Sequence, residues 1–190
     1  MARFIRRYNS TIYGNYRKAY LVDGTLIGGV MAVVMLLRDL FSDMPISSPE
    51  NYTTQLVLLV GIFWASYQYR KQLPEQKVTL KELMLLGMGI GVVSGVVYGL
   101  WVWLYSGVLN TDLVGFYNEQ RIRVMEPAET SAEAKVAVEA VKRYTAGDWA
   151  FIGGFRSVVW SIIITFFSAI VFRTEKSPVR EKINNIGRKK

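Results

Sequence analysis

At 190 residues the chain has room for one domain. It has no cysteine and no histidine, which removes disulfides, thiol nucleophiles, the usual zinc ligand sets and the commonest general base. Its formal charge of +8 could suggest nucleic acid, but the basic residues are gathered between long uncharged stretches, a pattern of membrane topology instead.

Four segments, 19–37, 52–69, 83–109 and 149–172, approach the ~20 predominantly apolar residues that a helix needs to cross a bilayer. The sequence therefore predicts an all-α integral membrane protein with four transmembrane helices. Residues 1–18 form a basic N-terminus, 19–172 the membrane domain and 173–190 a basic tail. The first apolar run is longer than a signal-peptide core and no small-x-small site follows it, so it reads as a retained signal anchor. Tyr13, Tyr16 and Tyr20 suit the headgroup zone at its start. "NYT" at Asn51 matches a glycosylation acceptor, meaningful only in a eukaryotic secretory pathway. Segment two ends on Tyr67, Tyr69, Arg70 and Lys71, an interfacial anchor. "TLKE" then offers a capping box, with Thr79 as N-cap and Glu82 three residues on. Trp101, Trp103 and Tyr105 mark the far interface of segment three.

Residues 110–148 are expected to form an exoplasmic helical hairpin between spans three and four. Leu113, Phe116 and Tyr117 share one side of its first half, and Pro127 ends that half. Thr130 and Glu133 make a second capping box, followed by an apolar stripe of Ala134, Ala137, Val138, Val141 and Tyr144. Gly147 is the expected helix stop.

Lys and Arg number five in residues 1–18, four in 70–82 and seven in 173–190, against one in 38–51 and five in 110–148. Positive residues favour the cytoplasmic side, so both termini and the middle linker are expected there. Attraction to anionic membrane lipids is a secondary consequence.

Glycine at 87, 91, 95 and 99 recurs every fourth residue of segment three. Lipid tails are as apolar as leucine, so spans associate by close van der Waals packing, which small residues allow. Segment four carries Gly153, Ser157, Ser161, Thr165 and Ala169 at the same spacing; segment one has Gly24, Gly28 and Ala32, and segment two Gly61 and Ala65. These faces either hold one bundle together or serve another subunit or a pore. Gly89, off the main stripe, leaves small residues on more than one side of segment three. A further echo aligns Lys18, Leu21, Gly24, Ile27, Gly28 and Val30 with residues 63 positions later, Lys81 to Val93. It reads either as two parallel hairpins or as a compositional likeness of helices that begin at a cytoplasmic lysine.

Asp23 and Arg156 are the two ionisable groups inside the expected spans. Such charges are costly, about 2.5–3.5 kcal/mol on insertion scales, and mark functional candidates. Their places in the sequence put them at depths roughly 15–20 Å apart, too far to pair. Arg156 is expected to reach outward toward Asp39, Asp43 or Asp148, and Asp23 toward Arg17 or Lys18.

The stretches "VTLKELMLLGMGIGVVSGVVYGLW", "YSGVLNTDLV" and "GDWAFIGGFRSVVWSIIITFF", with the charged helical loop between the last two, resemble a small bacterial membrane family catalogued as domain of unknown function 4199. The resemblance covers about residues 15 to 173. It implies four spans and an inner-membrane address, and it supplies no activity. Expected from the whole is an integral membrane scaffold or accessory subunit, not an enzyme, with no catalytic residue, cofactor or metal. Its partners would be membrane lipids and either further copies of itself or another membrane protein. The alternative is a small oligomeric transporter or channel with segment three lining a path beside Asp23 or Ser94.

Overall fold

The computed structural model describes residues 16–41, 52–73, 78–125 and 132–174. Among them there is no strand. The helices are α1 (Tyr16–Phe41), α2 (Tyr52–Gln72), α3 (Leu80–Leu104), α4 (Asp112–Met125), α5 (Ala132–Val141) and α6 (Ala146–Phe172). A π-helical turn, Tyr105–Leu109, continues α3.

Among the described residues, three helical stretches are long and apolar enough to cross a membrane: Arg17–Phe41, Leu80–Leu109 and Ala146–Phe172. The helix α2 has the length, at 21 residues. Its polar ends, Thr53, Thr54 and Gln55 at one and Gln68, Arg70, Lys71 and Gln72 at the other, lower its hydropathy. The exterior of the long helices is densely apolar, with Leu26, Val60, Trp64, Leu100, Phe151, Phe155 and Phe167 all exposed. Hydrocarbon suits such a surface and water does not. The chain is a membrane protein on that ground.

The start of α3 follows the sequence. Glu82 N–H donates to Thr79 Oγ1 at 3.1 Å and Thr79 N–H to Glu82 Oε2 at 2.9 Å, a complete capping box. The start of α6 corrects it. Gly147 ends no helix; it lies in the first turn of α6, whose N-cap is Thr145. Thr145 N–H donates to Asp148 Oδ2 at 2.8 Å and Asp148 N–H returns to Thr145 Oγ1 at 3.4 Å. An aspartate does here what a glutamate usually does in that motif, and it places a glycine inside the opening turn. The expected box at Thr130 and Glu133 lies outside the described residues and side chains.

The long helices form a ring in the order α1, α2, α6, α3. The helices α3 and α6 run antiparallel along the glycine stripe. A Cβ on Gly87 would collide with Thr165, and one on Gly91 with Ser161. Further along, a Cβ on Gly95 would lie 2.6 Å from the Gly154 carbonyl oxygen, and one on Gly99 2.9 Å from that of Ala150. The backbones there touch directly. The helix α1 lies parallel to α3, with Gly24 against Val93 and Gly28 against Val97, while Gly89 of α3 receives the Tyr20 ring. The helix α2 runs antiparallel to α1, Gly61 meeting Ile27. It runs parallel to α6, where Ser168 Oγ donates to Ser66 Oγ at 2.8 Å. Between these seams Met31, Leu58, Ile62, Leu86, Ile90 and Tyr98 are almost wholly buried.

The 63-residue echo does not mark equivalent positions. Gly24 and Gly28 pack on α3, whereas their counterparts Gly87 and Gly91 pack on α6. Two equivalent hairpins would set both pairs against corresponding helices, which α3 and α6 are not.

Gly91→Ala should destabilise the bundle by about 1–3 kcal/mol, the usual cost of overpacking. Adding Ser161→Gly, which removes the colliding side chain, should recover most of that loss. Gly29→Ala, where a Cβ would meet nothing within 4 Å, should leave stability equal or slightly higher. Denaturant unfolding in detergent micelles, followed by tryptophan fluorescence, measures all three.

Candidate functional site at the capped end

One end of the bundle carries α4 and α5, which pack on each other, with α4 also on the π-helical turn that ends α3. Beneath them every long helix contributes polar side chains. Arg38 of α1 donates to Thr53 Oγ1 of α2 at 3.2 Å. Arg156 of α6 donates from Nε at 2.6 Å and from Nη2 at 3.0 Å to the Gln55 side-chain oxygen, the amide being oriented to satisfy its neighbours. Trp160 Nε1 shares that oxygen at 3.1 Å. Thr53 and Gln55 are two residues apart, so guanidinium groups from α1 and α6 are both drawn to the first turn of α2. Arg156 also sits 5.7 Å from the centre of the Tyr52 ring. From α3, the buried Tyr98 lies within electrostatic range of both Arg38 and Arg156. The Tyr105 hydroxyl donates to the Asp39 carboxylate. Trp101 stacks on Tyr105 with ring centres 5.6 Å apart.

The cap closes this cluster. Tyr117 of α4 is wholly buried. Burial pushes its phenol above the ordinary range, and the nearby Tyr98 and Asp39 push the same way. It is therefore an O–H donor throughout the physiological range. That hydroxyl and Trp101 Nε1 are buried and make no hydrogen bond among the described residues. Each such orphan costs on the order of 1–3 kcal/mol.

A second set of bonds mounts the cap on α6. Trp149 is fully buried and donates from Nε1 to Asn118 Oδ1 at 2.8 Å. Asn118 Nδ2 donates in turn to the Tyr144 carbonyl at 3.1 Å. Tyr117 and Tyr144 present their rings edge-on to Trp149 at 5.5 and 5.8 Å. One asparagine thus joins α4, the strand of chain entering α6, and the first turn of α6 itself.

The expected helix-packing residues Gly87, Gly91, Gly95, Gly99, Gly153, Ser157, Ser161, Thr165, Gly24 and Gly28 are all buried along the seams. Ser157 and Ser161 donate to carbonyls of their own helix, Gly153 at 3.0 Å and Val158 at 2.6 Å. The two intramembrane charges stay apart. Since Ile27 meets Gly61, Asp23 one turn earlier is level with Ala65, ten residues and about 15 Å along α2 from Gln55. Asp23 lines an apolar groove between α1 and α2 beside Leu26, Ile27 and Val30. Arg156 turns to α2. Of the acids expected to receive it, Asp148 caps its own helix and Asp43 lies outside the described residues. Counting full charges inside spans passes over Gln55, Tyr98, Asn118 and Trp149, and it misses Arg38 because that residue lies one position beyond the first expected span. Neutral polar side chains in apolar stretches were the available signal.

The molecule is thus an all-helical membrane protein with a polar cluster under a docked cap. The family model described as Protein of unknown function (DUF4199) matches residues 23–174, most of the chain, and the chain belongs to that family. No curated protein and no solved structure matches it.

Asn118→Leu should destabilise the cap by about 1–3 kcal/mol, since it leaves the buried Trp149 N–H without an acceptor. Limited proteolysis should then cut within 110–148 sooner than in the parent chain. Glu139→Gln breaks only an exposed pair with Lys142 on α5, at 2.6 Å, and should leave the cleavage rate unchanged.

Proposed function

We propose that the protein is a four-span accessory subunit of the bacterial inner membrane, without catalytic activity, which holds a helical cap outside the cytoplasm for a partner. The fourth span is α2. It meets α6 from Gln55, against Arg156, to Tyr67, against Phe172, and lies between α6 and α1, so it shares their depth in any bilayer that holds them. The heavy basic load of 1–18, 70–82 and 173–190 supports a cytoplasmic position for both termini and the middle linker. That leaves α4 and α5 on the opposite side.

The observation that carries the reading is the mount of the cap. A loop that merely joined two spans would have no need of a buried tryptophan, an asparagine bridge and two edge-on tyrosines. A surface displayed at fixed height above the membrane does. The exposed face of α5 carries Lys135, Val136, Glu139 and Ala140, with Arg143 in the turn that follows, a mixed surface suited to a protein partner. The alternative, an oligomeric transporter or channel, has less to rest on. The small face of α3 that would line its path is filled by α6, and Ser94 bonds to the Gly91 carbonyl of its own helix at 3.2 Å.

The natural absence of cysteine makes the test direct. In intact spheroplasts, Val136→Cys should react with an impermeant maleimide and Arg173→Cys only after permeabilisation. A photo-crosslinking residue at Val136 should form a discrete protein adduct, whereas one at Phe166 should label lipid. Labelling of both cysteines from the same side, or lipid adducts alone at position 136, would overturn the proposal.

A further inference from the structure

The helices α1 and α2 touch where Ile27 fills the space beside Gly61. Along that contact runs an open groove of about 520 Å³. Its walls are Leu26 and Val30 of α1 and Leu56, Val60 and Trp64 of α2, all of them exposed. The half-buried Val57 lies between those walls. Thr53 stands at one end of the groove, Asp23 and Trp64 at the other. From Thr53 to Trp64 the helix α2 rises about 16 Å. The end at Thr53 is on the capped side, where Tyr52 is exposed and Arg38 donates to Thr53 Oγ1. Aromatic and polar side chains of this kind sit at the edge of the hydrocarbon.

We propose that this groove holds an acyl chain of a membrane phospholipid, entering from the leaflet on the capped side. The length of the groove argues for a chain. The hydrocarbon of a bilayer is ~30 Å thick, so one leaflet is about 15 Å deep, and the groove runs that distance inward from its polar edge. A phospholipid with its glycerol level with Thr53 lays its chain along Leu56, Val57 and Val60. The walls argue against a helix. Spanning helices associate where small residues let backbones approach, but the single glycine of the groove, Gly61, is already filled by Ile27. The branched and aromatic side chains on both flanks hold a second backbone away, whereas a flexible run of methylenes conforms to such ridges. The deep end sets the leaflet. Asp23 lines it, so a chain from the opposite leaflet would meet a carboxyl before it reached the apolar length. The inference rests on α2 being the fourth span and is independent of what meets α5.

The test uses the full chain in nanodiscs of phosphatidylcholine, doped with a phosphatidylcholine that carries a diazirine midway along one chain. Irradiation and peptide mass spectrometry compare Val57 with Val159, an exposed residue of α6 at nearly the same height, since Gln55 meets Arg156. Lipid that merely surrounds the bundle labels the exposed Val159 more than the half-buried Val57. A chain resident in the groove reverses that order, with roughly threefold more label on Val57. Val60→Trp and Leu26→Trp fill the groove from α2 and from α1, and each should return Val57 below Val159. Both positions are on the exposed surface, and either variant suffices if the other fails to fold. Moving the diazirine to the chain end should shift the label toward Trp64; a shift toward Leu56 would mean entry from the other leaflet and overturn the proposal. Label on Val57 no higher than on Val159, with the exposed Leu59 labelled, would overturn it while leaving the fourth span in place. No label anywhere on α2 would overturn both. Protection of Val57 in discs that hold a dimer would assign the groove to a second copy and overturn the proposal as well.

Discussion

Contact between the backbones of α3 and α6 is the constraint from which the rest of the bundle follows. Inside a bilayer the solvent rewards no burial of leucine, so the helices must gain from contacts closer than lipid can make. Gly95 and Gly154 reach that limit, each leaving no room for a Cβ beside the other's carbonyl. With α3 and α6 joined, the free flank of α3 receives α1 through Gly24 and Gly28, and α6 receives α2 through Ser66 and Ser168. The small faces are thereby consumed inside one chain. What remains outside is a belt of leucine, valine and phenylalanine, which is a surface for lipid.

The same seam governs the cap. The opening turns of α6 serve two purposes at once: Ala150 and Gly154 lie against α3, while Trp149, pointing another way, reaches Asn118 of α4. Any sliding of α6 along α3 would pull Trp149 out of its aromatic enclosure. On the other side, the π-helical turn after α3 carries Tyr105, whose hydroxyl ties the end of α1 through Asp39. Extra residues in a π turn shift the facing of the side chains that follow. The chain then turns at Asn110, whose N–H donates to the Tyr105 carbonyl at 2.7 Å, and enters α4. The cap and the membrane bundle are accordingly one packed unit.

Much of this was legible in the chain. Apolar length gave the long helices, the four-residue recurrence of small side chains gave the seams, and Thr79 with Glu82 gave the start of α3. These signals are local, so a linear reading finds them. Gly147 resembles a helix stop because glycine often follows a helix, whereas Asp148 closes the Thr145 cap where the motif usually carries a glutamate. The polar cluster was harder. Arg38 and Arg156 stand 118 positions apart, and only the antiparallel return of α2 brings Thr53 and Gln55 between them. A residue's role there depends on which three other helices it meets, and no local period encodes that.

The polar first turn of α2 belongs to the same cluster. Leucine in the first turn of α2 would remove the acceptors that both guanidiniums reach there. Apolar side chains in all these places would pack at least as stably, because desolvating a charge is costly even when it is paired. The polar turn instead fixes register. Arg38 and Arg156 reach Thr53 and Gln55 at one height of α2, and a slip by one turn of any of the three helices, about 5.4 Å, would break those bonds. The glycine seams permit close approach at several registers, for they repeat every fourth residue. The arginines select among them, so the least hydrophobic helix of the bundle is the one that defines how the others align.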